Sequence, residues 1–217
     1  LHMMRGIPRK AVELDLPALG GDGAAVTSAA RIADRDNVCP WNPDNFGIDH
    51  AAPHAQAFYD SQLALFAEWG VDFVKLDDVL YPPTQAVEIA AYSRAIDRSG
   101  RPMVLSLSPG RALSLTHLDA LREHGEMWRV SDDLWDEWGQ LREMFQRAAR
   151  WAPHQQPGSW ADADMLPLGH IGIRAHVGAD RLSRLTVDEQ RTMLTLWCMF
   201  RSPLMFGGHL PNTPPET

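Results

Sequence analysis

The chain has 217 residues, 45% of them hydrophobic and 22% charged, the composition of an ordinary folded domain with one sizeable core. A formal net charge of −8, with no basic stripe, argues against nucleic acid as a partner. No apolar run approaches the roughly 20 residues needed to span a bilayer, so no membrane partner is expected.

The predicted elements follow in chain order. Leu1–Gly6 reads as a strand. The chain opens without an initiator methionine, a charged leader or a small-residue cleavage site, so it is expected to be a piece of a longer protein that begins inside this strand. Residues 15–52 are rich in Gly, Ala, Asp and Pro and include Cys39-Pro40-Trp41-Asn42-Pro43. They read as a long loop or small excursion, the kind that lines a binding face. Pro53–Trp69 places Phe58, Leu63, Phe66 and Trp69 near helical spacing, and Gly70 is its stop signal. A strand over Asp72–Asp77, a helix over Pro83–Ser99 ending at Gly100, and a strand over Pro102–Ser108 follow. Thr116-x-x-Asp119 opens a short helix that stops at Gly125, and Glu126–Asp132 is the next strand. The helix over Leu134–Trp151 puts Leu134, Trp138, Leu141, Phe145 and Ala148 on one stripe. Asp164–Gly169 and Pro203–Gly207 are the last strands. Between them Thr186-Val187-Asp188-Glu189 forms a capping box, opening a helix that carries Met193, Leu194, Trp197 and Phe200. Leu210–Thr217 is rich in Pro and Thr and reads as the start of a linker.

Short apolar strands alternating with amphipathic helices predict a parallel α/β fold. No Gly-rich phosphate turn follows any strand, which counts against a doubly wound open sheet. Polar, chemically capable residues end several different strands, as they do in a (β/α)8 barrel. The expected domain is a partial barrel over residues 1–210, about strands three to eight, with 211–217 beginning a linker.

Side chains alternate along a strand, so Lys75 and Asp77 share one face while Val74 and Leu76 take the other. The apolar pair belongs against helices, which leaves the lysine and the aspartate pointing into the barrel. Buried charges are costly unless paired, and the lysine favours the ionised carboxylate that a nucleophile needs. The alternative is a structural salt bridge under a turn. By the same count Arg129, Ser131 and Asp133 share a face of the next charged strand. The alternative there is a helix N-cap, since Asp132 and Asp133 precede Leu134. One of the pair is expected to cap and the other to face the site, and parity with Arg129 selects Asp133. Two carboxylates from separate strands facing one cavity are what glycoside hydrolysis uses, about 5–5.5 Å apart in a retaining enzyme. In Gly158-Ser159-Trp160-Ala161-Asp162-Ala163-Asp164-Met165, Trp160 could stack on a sugar and Asp164 could accept from its hydroxyls, or the stretch is a loop around a core tryptophan.

Cys39 and Cys198 make no CxxC or zinc spacing and are expected to be free and buried. None of the nine histidines forms H-x-H or H-E-x-x-H, so no metal or other cofactor is expected. His2 stands apart because it lies on a strand near its C-terminal end. No G-x-S-x-G element supports a serine nucleophile.

These motifs resemble glycoside hydrolase family 27, the α-galactosidases and α-N-acetylgalactosaminidases, from Gly70 to about Leu210 and more loosely back to Leu1. Gly70–Asp77 is similar to the family's fourth strand, Trp128–Asp136 to its sixth, Gly158–Leu166 to its G-x-W-x-D-x-D-M-L element, and Thr186–Leu210 to its last helix and strand. The resemblance implies Asp77 as nucleophile, Asp133 as general acid/base, and Lys75, Arg129, Asp164, Trp160, Ser108 and His2 around the sugar. For Asp133 to act as an acid, burial and repulsion from Asp77 must outweigh Arg129. The implied ligand is an oligosaccharide or glycoconjugate ending in a galactose-like sugar, and a secreted or periplasmic setting. Ser108 stands where many α-galactosidases carry a glutamate, which resembles the N-acetylgalactosaminidase version, although Pro109-Gly110 departs from it. The family's cysteine after the nucleophile is replaced by Asp78-Val79, and its C-terminal β-domain lies outside the chain. β-L-Arabinopyranosidases also belong to the family. Two other readings remain: a metal-dependent lyase or racemase with Lys75 as base and Asp77, Asp78 and Asp132 as ligands, and a sugar-binding remnant without turnover.

Overall fold

The computed structural model describes residues 1–79, 84–174 and 177–215. Pro83 at the start of one predicted helix, His176, and the linker residues Glu216 and Thr217 lie outside the described residues. Two units divide the chain: Leu1–Pro109 with Thr116–Glu126, and Gly110–Leu115 with Met127–Thr217.

The first unit contains β1 (His2–Met4), β2 (Ile7–Pro8), α1 (Arg9–Glu13), β3 (Pro17–Leu19), β4 (Ala25–Ser28), α2 (Ala29–Ile32), β5 (Ala33–Val38) and β6 (Asn45–Ile48). Then come α3 (Gln56–Glu68), β7 (Phe73–Asp77), α4 (Thr84–Ser99), β8 (Val104–Ser108) and α5 (Leu118–His124). β7 pairs in parallel with β1 on one side and β8 on the other. The predicted alternation holds along β7: Val74 and Leu76 are fully buried, while Phe73, Lys75 and Asp77 on the other face are partly accessible. β8 is buried on both faces beyond Val104, with Leu105 and Leu107 on one and Ser106 and Ser108 on the other. That is how a parallel strand covered on both sides reads.

α3 packs on α4 through Tyr59 and Tyr92, whose rings meet edge-on at 4.9 Å between centroids. Leu63 and Phe66 join this buried side, but Trp69 lies past the helix and is exposed. Gly70 and Gly100, both at positive φ, stop α3 and α4 as predicted. Gly6 leaves β1 at φ 81°, where a Cβ would stand 2.0 Å from the Phe46 carbonyl oxygen, so no other residue fits. Its amide donates to the buried Tyr59 hydroxyl (2.6 Å), which itself donates to Glu88, and His50 bonds the other Glu88 oxygen.

Residues 15–52 prove to be the small excursion rather than an unstructured loop. β3 and β4 form an antiparallel pair, and β2, β6 and β5 form a three-stranded antiparallel sheet. Each contains a register shift, which removes the clean period-two pattern that would have betrayed the strands.

The second unit contains β9 (Met127–Arg129), α6 (Trp138–Trp151), β10 (Trp160–Asp162), β11 (His170–Ile171), β12 (Arg181–Leu182) and α7 (Val187–Phe200). β9 and β10 are parallel, with Asp162 opposite Arg129. The expected strand over Asp164–Gly169 is therefore displaced to Trp160–Asp162. Asp164 turns left-handed at φ 76°, and its amide donates back to Asp162 Oδ1 (2.8 Å), which ends the pairing. Beyond the turn, Leu166 meets Phe206 at a single parallel bridge, all that forms of the two last predicted strands.

α6 begins at Trp138, four residues later than predicted, so neither Asp132 nor Asp133 caps it. Its buried stripe is Leu141, Met144, Ala148 and Trp151, while Trp138 and Phe145 are exposed. α7 opens with the predicted capping box: Glu189 N–H donates to Thr186 Oγ1 (3.3 Å) and Thr186 N–H to Glu189 Oε2 (2.7 Å). Such a cap contributes about 1 kcal/mol. Met193, Trp197 and Phe200 are buried, whereas Leu194 is exposed. Cys39 and Cys198 are free; Cys39 is buried, but Cys198 is exposed because it falls on the outward side of α7. Among the described residues no helix is long and apolar enough to cross a membrane.

Candidate active site

Asp77 ends β7, directly opposite Met4 of β1 and Ser108 of β8. The strand brings Lys75 onto its face two residues earlier, level with His2 on β1 and Ser106 on β8. His2 Nε2 lies 2.8 Å from Asp77 Oδ2, and the Asp78 amide donates to Asp77 Oδ1 at 2.9 Å. Burial by itself would raise the Asp77 carboxyl. The His2 hydrogen bond, the Asp78 amide and the charges of Lys75 and His2 outweigh it and hold the carboxyl below its ordinary 3.8. Lys75 acts in the expected direction on Asp77, after the imidazole and the amide.

Behind Asp77 lies an arrangement the residue pattern did not reveal. Asp78 is buried and left-handed, φ 60°. Its carboxylate Oδ2 is 2.9 Å from Nη2 of the equally buried Arg5, an ion pair rather than a well-aligned hydrogen bond, and the Cys39 thiol lies beside it. Arg5 Nε donates to the Asp78 carbonyl (2.9 Å), Arg5 Nη2 to Asn37 Oδ1 (2.9 Å), and the Arg5 amide to the Asp77 carbonyl (3.1 Å).

In the second unit Arg129 is buried on β9. Its Nη1 donates to Asp133 Oδ1 (2.8 Å), Nη2 to the Ser131 carbonyl (3.3 Å), and Nη2 also lies 3.2 Å from Asp164 Oδ2. Burial would lower the guanidinium's pKa, but the charge of Asp164, the hydrogen bond to Asp133 and their neighbours raise it. Arg129, Asp133 and Asp164 are thus one cluster; β9 ends at Arg129, short of the predicted Asp132, so the turn after the strand and not its alternation brings Asp133 to the guanidinium. The Asp133 side chain, however, is 67% exposed, so the burial expected for it is absent. Asp164 also accepts the Leu134 amide (2.6 Å), and its carbonyl accepts Trp197 Nε1 (2.9 Å), which fixes the turn after β10. Trp160 is half-buried at the start of β10.

Asp136 is the other residue the pattern missed. Its carboxylate is fully buried and accepts Arg181 Nε (2.9 Å), the Arg184 amide (2.9 Å) and Arg184 Nε (3.2 Å). This ties the segment after Asp133 to the chain around β12. The local sequence carried no signal for it: Asp136 stands among Asp132, Asp133 and Glu137, and its cations lie 45 and 48 residues further on.

Of the carboxylates considered for a metal, Asp78 is held by Arg5, and Asp132 pairs with Arg111, whose Nε is 3.2 Å away. Among the described residues no group of three or more His, Cys, Asp or Glu side chains is placed to hold a metal ion.

Parallel β/α units with carboxylates at the strand ends, each set against a cation, define the class: a chain built like the glycoside hydrolase barrels. The family described as alpha galactosidase A (Melibiase_2) matches residues 47–217, and the chain belongs to it, within glycoside hydrolase family 27. A family 27 β-L-arabinopyranosidase from Geobacillus stearothermophilus is 51% identical, with a TM-score of 0.91 over 99% of this chain and 49% of that one. The α-N-acetylgalactosaminidase of Gallus gallus is 30% identical over 160 residues, 70% of this chain and 36% of the relative. Alpha-galactosidase 2 of Arabidopsis thaliana is 30% identical over 144 residues, 65% of this chain and 33% of the relative. The chain therefore spans about a third of these curated relatives and about half of the solved arabinopyranosidase.

Proposed function

We propose that residues 1–210 are part of the catalytic barrel of a retaining glycosidase, strands three to eight, with 211–217 starting a linker. Asp77 attacks the anomeric carbon as its bond to the leaving oxygen breaks, and Asp133 gives that oxygen a proton. Asp133 then takes a proton from water, which attacks the same carbon and releases Asp77. Lys75, His2 and Ser108 flank the sugar from the side of Asp77. Arg129, Asp164 and Trp160 flank it from the side of Asp133, with Arg129 toward the 2-position.

The observation that carries this reading is the held anion at Asp77: a carboxylate at a strand end, kept ionised by His2, the Asp78 amide and Lys75. A nucleophile needs that state, and the carboxylate stays partly accessible beside a lysine and a histidine. The ligand is a terminal α-galactoside-type sugar. A second reading within the family, a β-L-arabinopyranoside, is favoured by the 51% identity to the Geobacillus enzyme, a variant of which was crystallised with arabinose. This sugar is the galactose ring without its hydroxymethyl group, so the same anion and cations serve both.

The test is hydrolysis of nitrophenyl α-galactoside, α-N-acetylgalactosaminide and β-L-arabinopyranoside by the full-length parent, with chelator present. Turnover of one of them, reduced at least about 1,000-fold by Asp77→Ala, is expected. Activity of the variant equal to the parent's would sink the assignment. Binding of a sugar without product would leave the non-catalytic reading, and loss of activity to the chelator alone the metal one.

A further inference from the structure

We infer that Asp78 and Arg5 are a positioning pair that aims the nucleophile, an inference that rests on Asp77 having that role. An acidic residue is an odd neighbour for a nucleophilic carboxylate, because its charge works against ionisation. Here it points away. The Asp78 side chain turns into a buried site against Arg5 and Cys39, and only its amide faces Asp77. That amide belongs to the Asp77–Asp78 peptide and reaches Asp77 Oδ1, while Asp78 itself sits at φ 60°, a conformation L-residues rarely adopt and hold only when their surroundings enforce it. The enforcement is visible: Arg5 grips Asp78 at its carboxylate and at its carbonyl, and the Arg5 amide grips the Asp77 carbonyl. Arg5 is itself braced by Asn37 of the small antiparallel sheet. The Arg5 amide therefore holds the Asp77–Asp78 peptide at its carbonyl, and the Arg5 guanidinium holds Asp78, the residue that follows the nucleophile.

The charged groups bearing on Asp77 are His2 from β1, Lys75 from β7 and Asp78 itself; β8 presents Ser106 and Ser108 there. Burial and the charge of Asp77 push the Asp78 carboxyl upward, while Arg5 and the Cys39 thiol oppose them. Losing the pair frees the peptide to rotate, and Asp77 loses a hydrogen bond that favours its ionised form.

The experiment uses the full-length parent with Asp78→Ala, Asp78→Asn and Arg5→Lys. Thermal melting establishes folding, and the Asp77 carboxyl is titrated by carbon NMR of labelled aspartate, its signal identified by its loss in Asp77→Asn. In Asp78→Ala the Asp77 titration should move upward, with kcat on the turned-over glycoside falling about 10- to 100-fold and KM little changed. Asp78→Asn, which tolerates the left-handed backbone and keeps a polar anchor for Arg5, should restore most of both. If Asp78→Ala does not fold, Arg5→Lys is read the same way: it keeps the charge but loses the bond to the Asp78 carbonyl. A lower melting temperature with the Asp77 titration unmoved overturns the inference, as does an asparagine variant no better than alanine. The NMR titration needs no substrate, so a parent inactive on all three glycosides overturns the functional reading and leaves this test standing.

Discussion

His2 sits 75 residues before Asp77 in the chain, yet its imidazole is the strongest single influence holding that carboxyl down. The side chain of His2 is exposed while that of Asp77 is largely covered, so the histidine is the outer partner and can be removed without opening a core. His2→Ala should leave stability nearly unchanged and raise the pKa of Asp77. The sign follows from the charge state. The reaction needs the anion, so activity falls as pH drops through the Asp77 pKa, and a higher pKa moves that acid limb upward. A pH profile of kcat/KM on the full-length protein measures it; an unmoved limb would mean that Lys75 and the Asp78 amide suffice. At this scale the parity count along β7 read Lys75 and Asp77 correctly, because alternation is a property of the strand alone. Arg5 and Asp78 escaped it because their contact spans 73 residues and arises beyond the end of the strand, where alternation no longer applies.

Among elements, the entry to α6 shows what periodicity misses. The stripe from Leu134 to Ala148 continues a helical pattern across residues 134–137, but the chain there makes a tight turn at Asp136, whose buried carboxylate is bound by Arg181 and Arg184. A buried carboxylate must find its cations, and that requirement overrides a weak helical preference. Burial would raise the Asp136 carboxyl, but the bonds from Arg181 and Arg184 hold it far below its ordinary 3.8. Its contribution to stability is therefore complete above that ordinary value and is lost as pH falls through the depressed folded one. Asp136→Asn should destabilise the protein by about 2 kcal/mol near neutrality, since it removes the counter-charge of the partly covered Arg181 and weakens the charged hydrogen bonds at a buried carboxylate. The gap to the parent should narrow below the ordinary carboxylate range, as chemical denaturation at a series of pH values would show. A gap independent of pH would mean that packing, not the ion pairs, holds the segment. By contrast the capping box at Thr186 was legible in full, since four consecutive residues contain both of its hydrogen bonds.

For the whole molecule, the reaction proposed above requires the carboxyls of Asp77 and Asp133 together, and its stereochemical outcome depends on their separation. Retention, with the α-anomer of galactose released first, is expected of the full-length parent and is read by proton NMR of the early product; first release of the inverted anomer would indicate a separation wider than about 5–5.5 Å. Sequence alone determined the parallel α/β class, the alternation that puts Lys75 and Asp77 on one face of β7, and membership of a family whose motifs lie in short contiguous runs. Each of these is local: a strand's period, a cap, a run of nine residues. Tertiary structure alone decided that His2 and the Asp78 amide reach Asp77, that Arg5 meets Asp78, that Asp164 turns left-handed to join Arg129, and that Asp136 binds the chain around β12. Those outcomes depend on charges and backbone amides brought together from distant parts of the chain, where the cost of an unpaired buried group, rather than any local pattern, selects the partner.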